Sequence, residues 1–378
     1  MIPVKYTKSI VIAIFCVVFT TACNDYLDFE KPGTTLAVDA FNTSTDAVAA
    51  VTAAYVPLQW EYGYGTFFYE WWFGDVCTDD ALKGGESLDA TPQAYDLENF
   101  KTRSDNEILY RYYRAQYIGA FRANFALENV EKMDSALFEA GLKDRIMGEA
   151  YFLRAMYHFR LVRLFGGVPL ADRIIDVQAE WQQPRASEQE VYTLIENDLK
   201  KAIALLPAQG KYNAADWGRA TKGAARGLLM KVYMNTGQFD EARLQGDSII
   251  TIDPYRYELL TDFNRNFDYE YENNKESLFE IQYYDNSNGD WGDNGRGALG
   301  STRSTWTTKM IRPRWGHSVK DDNSGTEDTG AAGWGWNRPS QELYDEFEPG
   351  DMRRDAAIIN PSEEMAPSEG ETTTNLNF

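Results

Sequence analysis

At 378 residues the chain is long enough for one large core or two domains, and its 58 acidic against 37 basic residues give a formal charge of −21. Such a surface argues against nucleic acid as a partner and against adhesion to anionic lipid head groups by charge. Of its three cysteines two lie in the first 23 residues, which leaves Cys77 alone and no internal disulfide to expect.

The N-terminus reads as an export signal. Lys5 and Lys8 precede an uncharged stretch from Ile10 to Phe19, too short to span a bilayer as a helix. Thr20-Thr21-Ala22-Cys23 then places small residues before a cysteine, the pattern of a bacterial lipoprotein cut ahead of Cys23, whose sulfur takes the lipid. Cleavage removes two lysines and leaves the chain more acidic still, so lipid and not charge is expected to hold it at a membrane.

Helical periodicity follows. Thr43-x-x-Asp46 is a capping signature, with Ala47, Val51, Ala54 and Leu58 on one face behind it. Asp105 to Met133 is a longer amphipathic stretch rich in Tyr and Arg. Leu142 to Phe165 carries an apolar stripe through Ile146, Ala150, Leu153, Tyr157, Leu161 and Leu164, and Gly166-Gly167 with Pro169 stops it. Ser187 and Glu190 form a capping box that opens a helix ending at Pro207. From Gly223 to Pro254, Leu229, Tyr233, Gly237, Phe239, Ala242 and Pro254 fall at the offsets of a tetratricopeptide repeat, although Met230 and Gly246 stand where a small residue and an aromatic are preferred. One such helix pair cannot bury its own faces, so residues 105–254 read as a small helical solenoid.

After Pro254 the long periodicities fade. Ser277 to Tyr284, with Phe279, Ile281 and Tyr283 alternating with polar residues, is predicted as one strand. Asp285 to Gly335 is rich in Gly, Asn, Asp, Ser and Trp and is predicted as long loops, whose length points to a function. Residues 361–378 are polar with almost no apolar anchor and are expected to be disordered. The fold class expected is mainly α: a tetratricopeptide-like helical-pair core, an irregular loop-rich C-terminal part and few short strands. The expected organisation is a signal peptide over 1–22, the helical region over 23–254, the irregular region over 255–360 packed on it, and the tail.

Catalysis finds little support. The two histidines, His158 and His317, are far apart and lack metal-ligand spacing. No P-loop, Gly-x-Ser-x-Gly or His-Glu-x-x-His is present. Asp285 to Gly297 is dense in Asp and Asn but puts Arg296 where an EF-hand needs its bidentate glutamate. With 58 acidic residues some glycosidase-like carboxylate pair always offers itself, so that signal has no weight. Cys77 has no base nearby in the chain. No enzyme activity, cofactor or metal is expected.

Aromatic residues make up 14% of the chain, ten of them Trp, and that excess asks for a use. Trp60, Tyr62, Tyr64, Phe67, Phe68, Tyr69, Trp71, Trp72 and Phe73 crowd one short segment, where core packing is the favoured role because so many adjacent rings cannot all face solvent. Trp291, Trp306, Trp315, Trp334 and Trp336 lie in the irregular half, and glycine-flanked tryptophans such as Trp291 and Trp334 favour contact with a ligand or partner. Sugars present flat C–H faces and hydroxyl rims, which aromatic platforms and Asp, Asn, Gln or Arg recognise. The candidate ligand-binding residues are therefore Trp60, Trp72, Asp79, Asp80, Tyr95, Trp291, Trp306, Trp315, Trp334 and Trp336. A solvated turn before Gly84-Gly85 explains Asp79 and Asp80 nearly as well.

Several segments, in order along the chain, resemble the SusD/RagB family of outer-membrane nutrient-binding lipoproteins. They are Cys23-Asn24-Asp25-Tyr26-Leu27-Asp28; Gly148-Glu149-Ala150-Tyr151-Phe152-Leu153-Arg154-Ala155 running into Leu161 through Leu170; Gly218-Arg219-Ala220-Thr221-Lys222-Gly223; and Pro339-Ser340-Gln341-Glu342-Leu343 with Gly350-Asp351-Met352-Arg353-Arg354-Asp355. The resemblance covers about residues 20–358. It implies a tetratricopeptide-like core with a glycan-facing irregular part, a lipid-anchored place on the outer face of the outer membrane, and a SusC-like TonB-dependent transporter as partner. It implies a non-catalytic protein that binds oligosaccharide or polysaccharide and delivers it to that transporter; the alternatives are a lid of the same family for peptide or another non-glycan nutrient and, further off, a surface glycoside hydrolase. Asp25, Asp28 and Glu30 resemble the signal that sends such lipoproteins outward. Family members usually continue well past the Arg-Arg-Asp segment, whereas this chain stops at Phe378; the expectation is a shortened chain lacking part of the usual fold.

Overall fold

A computed structural model describes residues 40–63, 66–85, 92–252, 257–283, 307–311, 319–320, 327–328 and 334–358. The described residues from Thr43 onward form one compact unit, mainly α-helical. Its frame is a run of helices: α1 (Ser44–Tyr55), α2 (Pro92–Glu98), α3 (Glu107–Lys132), α4 (Leu142–Phe165), α5 (Glu188–Leu205), α6 (Lys222–Asn235) and α7 (Phe239–Asp247). From α3 to α7 each helix packs on the next, so the solenoid read from the sequence is the observed architecture.

Local chemistry sets the helix ends. Thr43 and Asp46 form the expected capping box: the Thr43 side chain accepts from the Asp46 N–H and the Asp46 carboxylate accepts from the Thr43 N–H at 2.8 Å. Ser187 and Glu190 do the same for α5. α3 begins at Glu107 because Asn106 caps it, its Oδ1 accepting from the N–H groups of Ile108 and Leu109. Gly166 closes α4 at a φ of +68°, a conformation that costs a residue with a side chain more.

Close approach of α3 and α4 depends on Gly119: a Cβ there would lie 2.1 Å from Cζ of Tyr157. Tyr157 is fully buried and donates to the Ala54 carbonyl at 2.6 Å, which ties α4 to α1. In the α6–α7 pair the two departures from the repeat compensate each other. A Cβ on Gly246 would meet Met230 Sδ at 3.4 Å, so the long side chain on one helix fills the space left by the missing one on its partner.

Two polar networks fasten the connecting segments to the helices. Arg154 of α4 makes a two-pronged ion pair with Asp198 of α5 at 2.7 Å on each prong, and also donates to Asn124 Oδ1 and to the Asp172 carbonyl. Asn124 donates onward to the carbonyls of Ala171 and Arg173. His158 completes the set: its Nδ1 lies 2.9 Å from the Arg154 carbonyl and its Nε2 accepts from the Ala171 N–H at 3.2 Å. A carbonyl only accepts and an N–H only donates, so the ring carries its proton on Nδ1 and is neutral. Burial, the largest cause, holds its pKa down at about 4. The second network joins fully buried Glu149 to Arg219 at 2.9 Å and to Arg145 at 3.4 Å, with Asp216 bridging both arginines, and so seats the loop ahead of α6.

The strands are few and short. β1 (Tyr62–Gly63) pairs antiparallel with β2 (Thr66–Phe67), and β3 (Ala81–Gly84) pairs antiparallel with β6 (Trp336–Pro339); between them in sequence come α8 (Thr307–Ile311) and the pair β4 (Val319–Lys320) and β5 (Glu327–Asp328). α9 (Gln341–Glu346) and α10 (Met352–Ala357) follow β6. The strand predicted over 277–284 is corrected: residues 277–283 form no strand. The segment lies over the helices, with Phe279 edge-on to Phe152 at 5.1 Å, Gln59 donating to the Gln282 carbonyl, and Tyr283 donating to Glu61 at 3.2 Å. Residues of both parities meet the frame, Phe279 on Phe152 and Leu278 against Gly227, and no neighbouring strand pairs with the segment among the described residues.

Candidate functional site

Several of the candidate residues gather around the β3–β6 ribbon. Ahead of β3 runs a π-helical turn, Trp72–Val76, a rare local geometry that recurs at functional sites. It stacks two tryptophans into an aromatic ladder. Tyr69 and Trp71 are parallel with centroids 4.8 Å apart, Trp71 and Trp72 are 4.4 Å apart, and Trp72 reaches Trp336 of β6 at 5.4 Å. Trp334 continues the series edge-on to Trp336 at 5.2 Å and 86°. Phe68, Val76, Leu97, Ile108 and Met310 close around these rings to make a second core, next to the helical one.

The ribbon is knitted across some 260 positions of sequence. Its register runs Ala81↔Pro339, Leu82↔Arg338 and Gly84↔Trp336. The Gly85 N–H donates to the Gly335 carbonyl at 2.7 Å, and Ser340 donates through its N–H to the Asp80 carbonyl and through Oγ to the Asp79 carbonyl, both at 2.8 Å. Glycine is needed here: a Cβ on Gly84 would lie 2.2 Å from the Gly335 oxygen and one on Gly85 2.5 Å from Cδ1 of Trp336. Asp79 and Asp80 are exposed beside this knot, their backbone carbonyls used and their side chains at the surface. Lys83 is fully buried, with Nζ 4.3 Å from the centre of the half-buried Tyr95 ring, a cation–π contact.

Seven of the ten candidate ligand-binding residues lie among the described ones. Trp72 (2% exposed), Trp336 (3%) and Trp60 (7%) are core members, and a ring so covered offers no open face to a sugar as it stands. Trp60 instead lies under the Arg122 guanidinium at 5.2 Å. Trp334 is half-buried at the end of the ladder, and Asp79, Asp80 and Tyr95 are on or near the surface of the same ribbon. Cys23, Trp291, Trp306 and Trp315 lie outside the described residues. Sequence reasoning missed Trp71, Asp75, Lys83 and Asn337 as site members, because only the pairing of β3 with β6 brings them together. The Nε1 atoms of Trp60, Trp71 and Trp72 are buried without a hydrogen-bond partner among the described residues. Cys77 is half-buried near the Leu97 carbonyl, and burial pushes its thiol pKa up, away from nucleophilic use.

A family model described as SusD-like, starch-binding associating with outer membrane, matches residues 25–234, more than half of the chain. The chain belongs to the SusD-like family. A SusD-like protein of Bacteroides ovatus is 28% identical over 288 residues, covering 73% of this chain and 50% of the relative. SusD-like protein P2 of Formosa agariphila is 27% identical over 288 residues, covering 74% and 53%. The chain spans about half the length of these curated relatives. Among solved structures, a laminarin binding SusD-like protein superposes with a TM-score of 0.74 at 26% identity, covering 85% of this chain and 68% of that one. Surface glycan-binding protein A of Bacteroides thetaiotaomicron, in complex with laminarihexaose, superposes at 0.69 with 23% identity over 83% and 62%, a likeness of fold. The SusD-like family is associated with the outer membrane, and no described helix is long and apolar enough to cross one.

Proposed function

We propose that the chain is a non-catalytic, cell-surface lipoprotein, anchored through Cys23, that binds oligosaccharide or polysaccharide and passes it to a SusC-type TonB-dependent transporter. The observation that supports this most is the β3–β6 ribbon, which ends the Tyr69–Trp71–Trp72–Trp336 ladder in Trp334 at one end and carries exposed Asp79 and Asp80 at the other, against Ser340. A platform for a sugar face and carboxylates for its hydroxyl rim are what glycan capture requires. The laminarin-binding relative in fold makes β-linked glucan the first ligand to try. Trp291, Trp306 and Trp315 are proposed to add further platforms.

The test is affinity electrophoresis of the full chain in gels cast with laminarin, starch and other soluble polysaccharides, with chromatography of each glycan after incubation. Retardation in at least one gel with no shortened product is the expected result. Binding of peptides with no polysaccharide retarding the chain contradicts the glycan reading. Shortened glycan contradicts the non-catalytic one. For the anchor, Cys23→Ser is expected to move the protein from the membrane fraction to the soluble fraction.

A further inference from the structure

Asn337 has one of three positive φ angles among the described residues other than glycine, and the other two, at Phe100 and Asn273, are in turns. Asn337 instead sits inside β6, at +53°, a value asparagine tolerates better than most side chains. By the register it stands opposite Lys83, at the one step of the ribbon between Leu82↔Arg338 and Gly84↔Trp336. There the ladder is diverted. The Lys83 N–H donates to Glu98 Oε1 at 3.1 Å, and the Asn337 side chain donates through Nδ2 to Asp75 Oδ2 at 2.7 Å.

Asp75 belongs to the π-helical turn that also carries Trp72, whose ring meets Trp336 at 5.4 Å. Burial of ring area is non-directional and fixes the rings less tightly than a hydrogen bond to a carboxylate, which has a defined length and aim. We propose that Asn337 is a positioning residue: its bond to Asp75 sets the angle at which β6 holds Trp336, and through it Trp334, against the Trp71–Trp72 turn. The bent backbone and the side-chain bond work together, since the bond is made from a residue whose φ departs from the strand. The affinity consequence rests on the glycan-binding reading above; the positioning itself does not.

Three variants of the full chain test it. Asn337→Gly keeps the positive φ available and removes the bond. Asn337→Asp faces a carboxylate with Asp75. The exchange Asp75→Asn with Asn337→Asp reverses donor and acceptor at unchanged net charge. Each is read by the near-ultraviolet circular dichroism of the coupled indoles, by thermal midpoint, and by laminarin affinity. Both single variants are expected to weaken the indole signal and to lower laminarin affinity about tenfold, which is about 1.4 kcal/mol. The exchange is expected to recover both. If Asn337→Gly keeps the wild-type spectrum and affinity, or the exchange leaves the defect of Asn337→Asp in place, the proposal is overturned. A wild-type chain that binds no glycan sinks the functional reading instead, and the indole signal still decides the positioning.

Discussion

The helical frame and the aromatic ribbon both bury large side chains, but they treat polar atoms differently. In the frame the buried charges are matched: Arg154 with Asp198, Glu149 with Arg145 and Arg219, and His158 with one acceptor and one donor. The exceptions there among the described residues are the Gln116 carbonyl oxygen and Glu107 Oε2, Arg145 Nε and Glu149 Oε1, which lie in ion pairs without a hydrogen bond. In the aromatic core beside the ribbon the N–H groups of Trp60, Trp71 and Trp72, and on the ribbon the Asn337 carbonyl oxygen, have no hydrogen-bond partner among those residues. A buried polar group left unmatched costs on the order of 1–3 kcal/mol, so a fold built for stability alone would not collect several in one place. The proposed division is that the frame supplies the ion-paired support and the ribbon the surface for recognition.

That contrast can be broken at several points, the largest effect being expected inside the frame. Arg154→Ala leaves Asp198 as an uncompensated buried charge and is expected to cost about 3–5 kcal/mol in urea unfolding. A loss below about 1 kcal/mol would mean that the frame does not depend on its matched charges. Acid should attack the same network. His158 has a pKa of about 4 when folded against 6.5 as the reference value, so the unfolded chain takes up the proton first. Its contribution, roughly 3 kcal/mol, is present in full above about pH 6.5 and is lost as the pH falls from there through about 4. Comparing urea midpoints of wild type and His158→Gln across that window checks it; parallel pH profiles would remove His158 from the account. Gly119→Ala should cost about 1–3 kcal/mol through its collision with Tyr157, again with little change in any glycan affinity once folded. Smallest of all, Asp79→Asn with Asp80→Asn should leave the unfolding midpoint unchanged and lower laminarin affinity a few-fold by titration calorimetry.

The frame was legible in the sequence because its signals are local. Capping residues, a glycine stop and an apolar stripe each act within one or two helical turns, so Thr43, Gly166 and Ser187 announced ends that the structure keeps. The ribbon was not. Two four-residue strands some 260 positions apart carry no periodicity of their own, and Ala81–Gly84 read as part of a turn because its partner lies beyond the reach of any local pattern. The segment at 277–283 failed in the opposite direction: its apolar alternation promised a strand, but it lies on the helices with adjacent residues Leu278 and Phe279 both packed against them, and no strand pairs with it among the described residues. The tryptophans show the limit most plainly, since Trp334 and Trp336 were candidates alike, and only the ribbon's pairing makes one half-buried and the other a core residue.

The central claim is that recognition is separated from stability and ends at Trp334. Its most direct test is calorimetric titration of Trp334→Ala with laminarihexaose beside a thermal melt of the same sample. The account predicts an affinity lowered at least about tenfold, as for a central aromatic anchor, with the melting midpoint within a few degrees of wild type. Unchanged affinity, in a chain whose wild type binds the hexasaccharide, would contradict it.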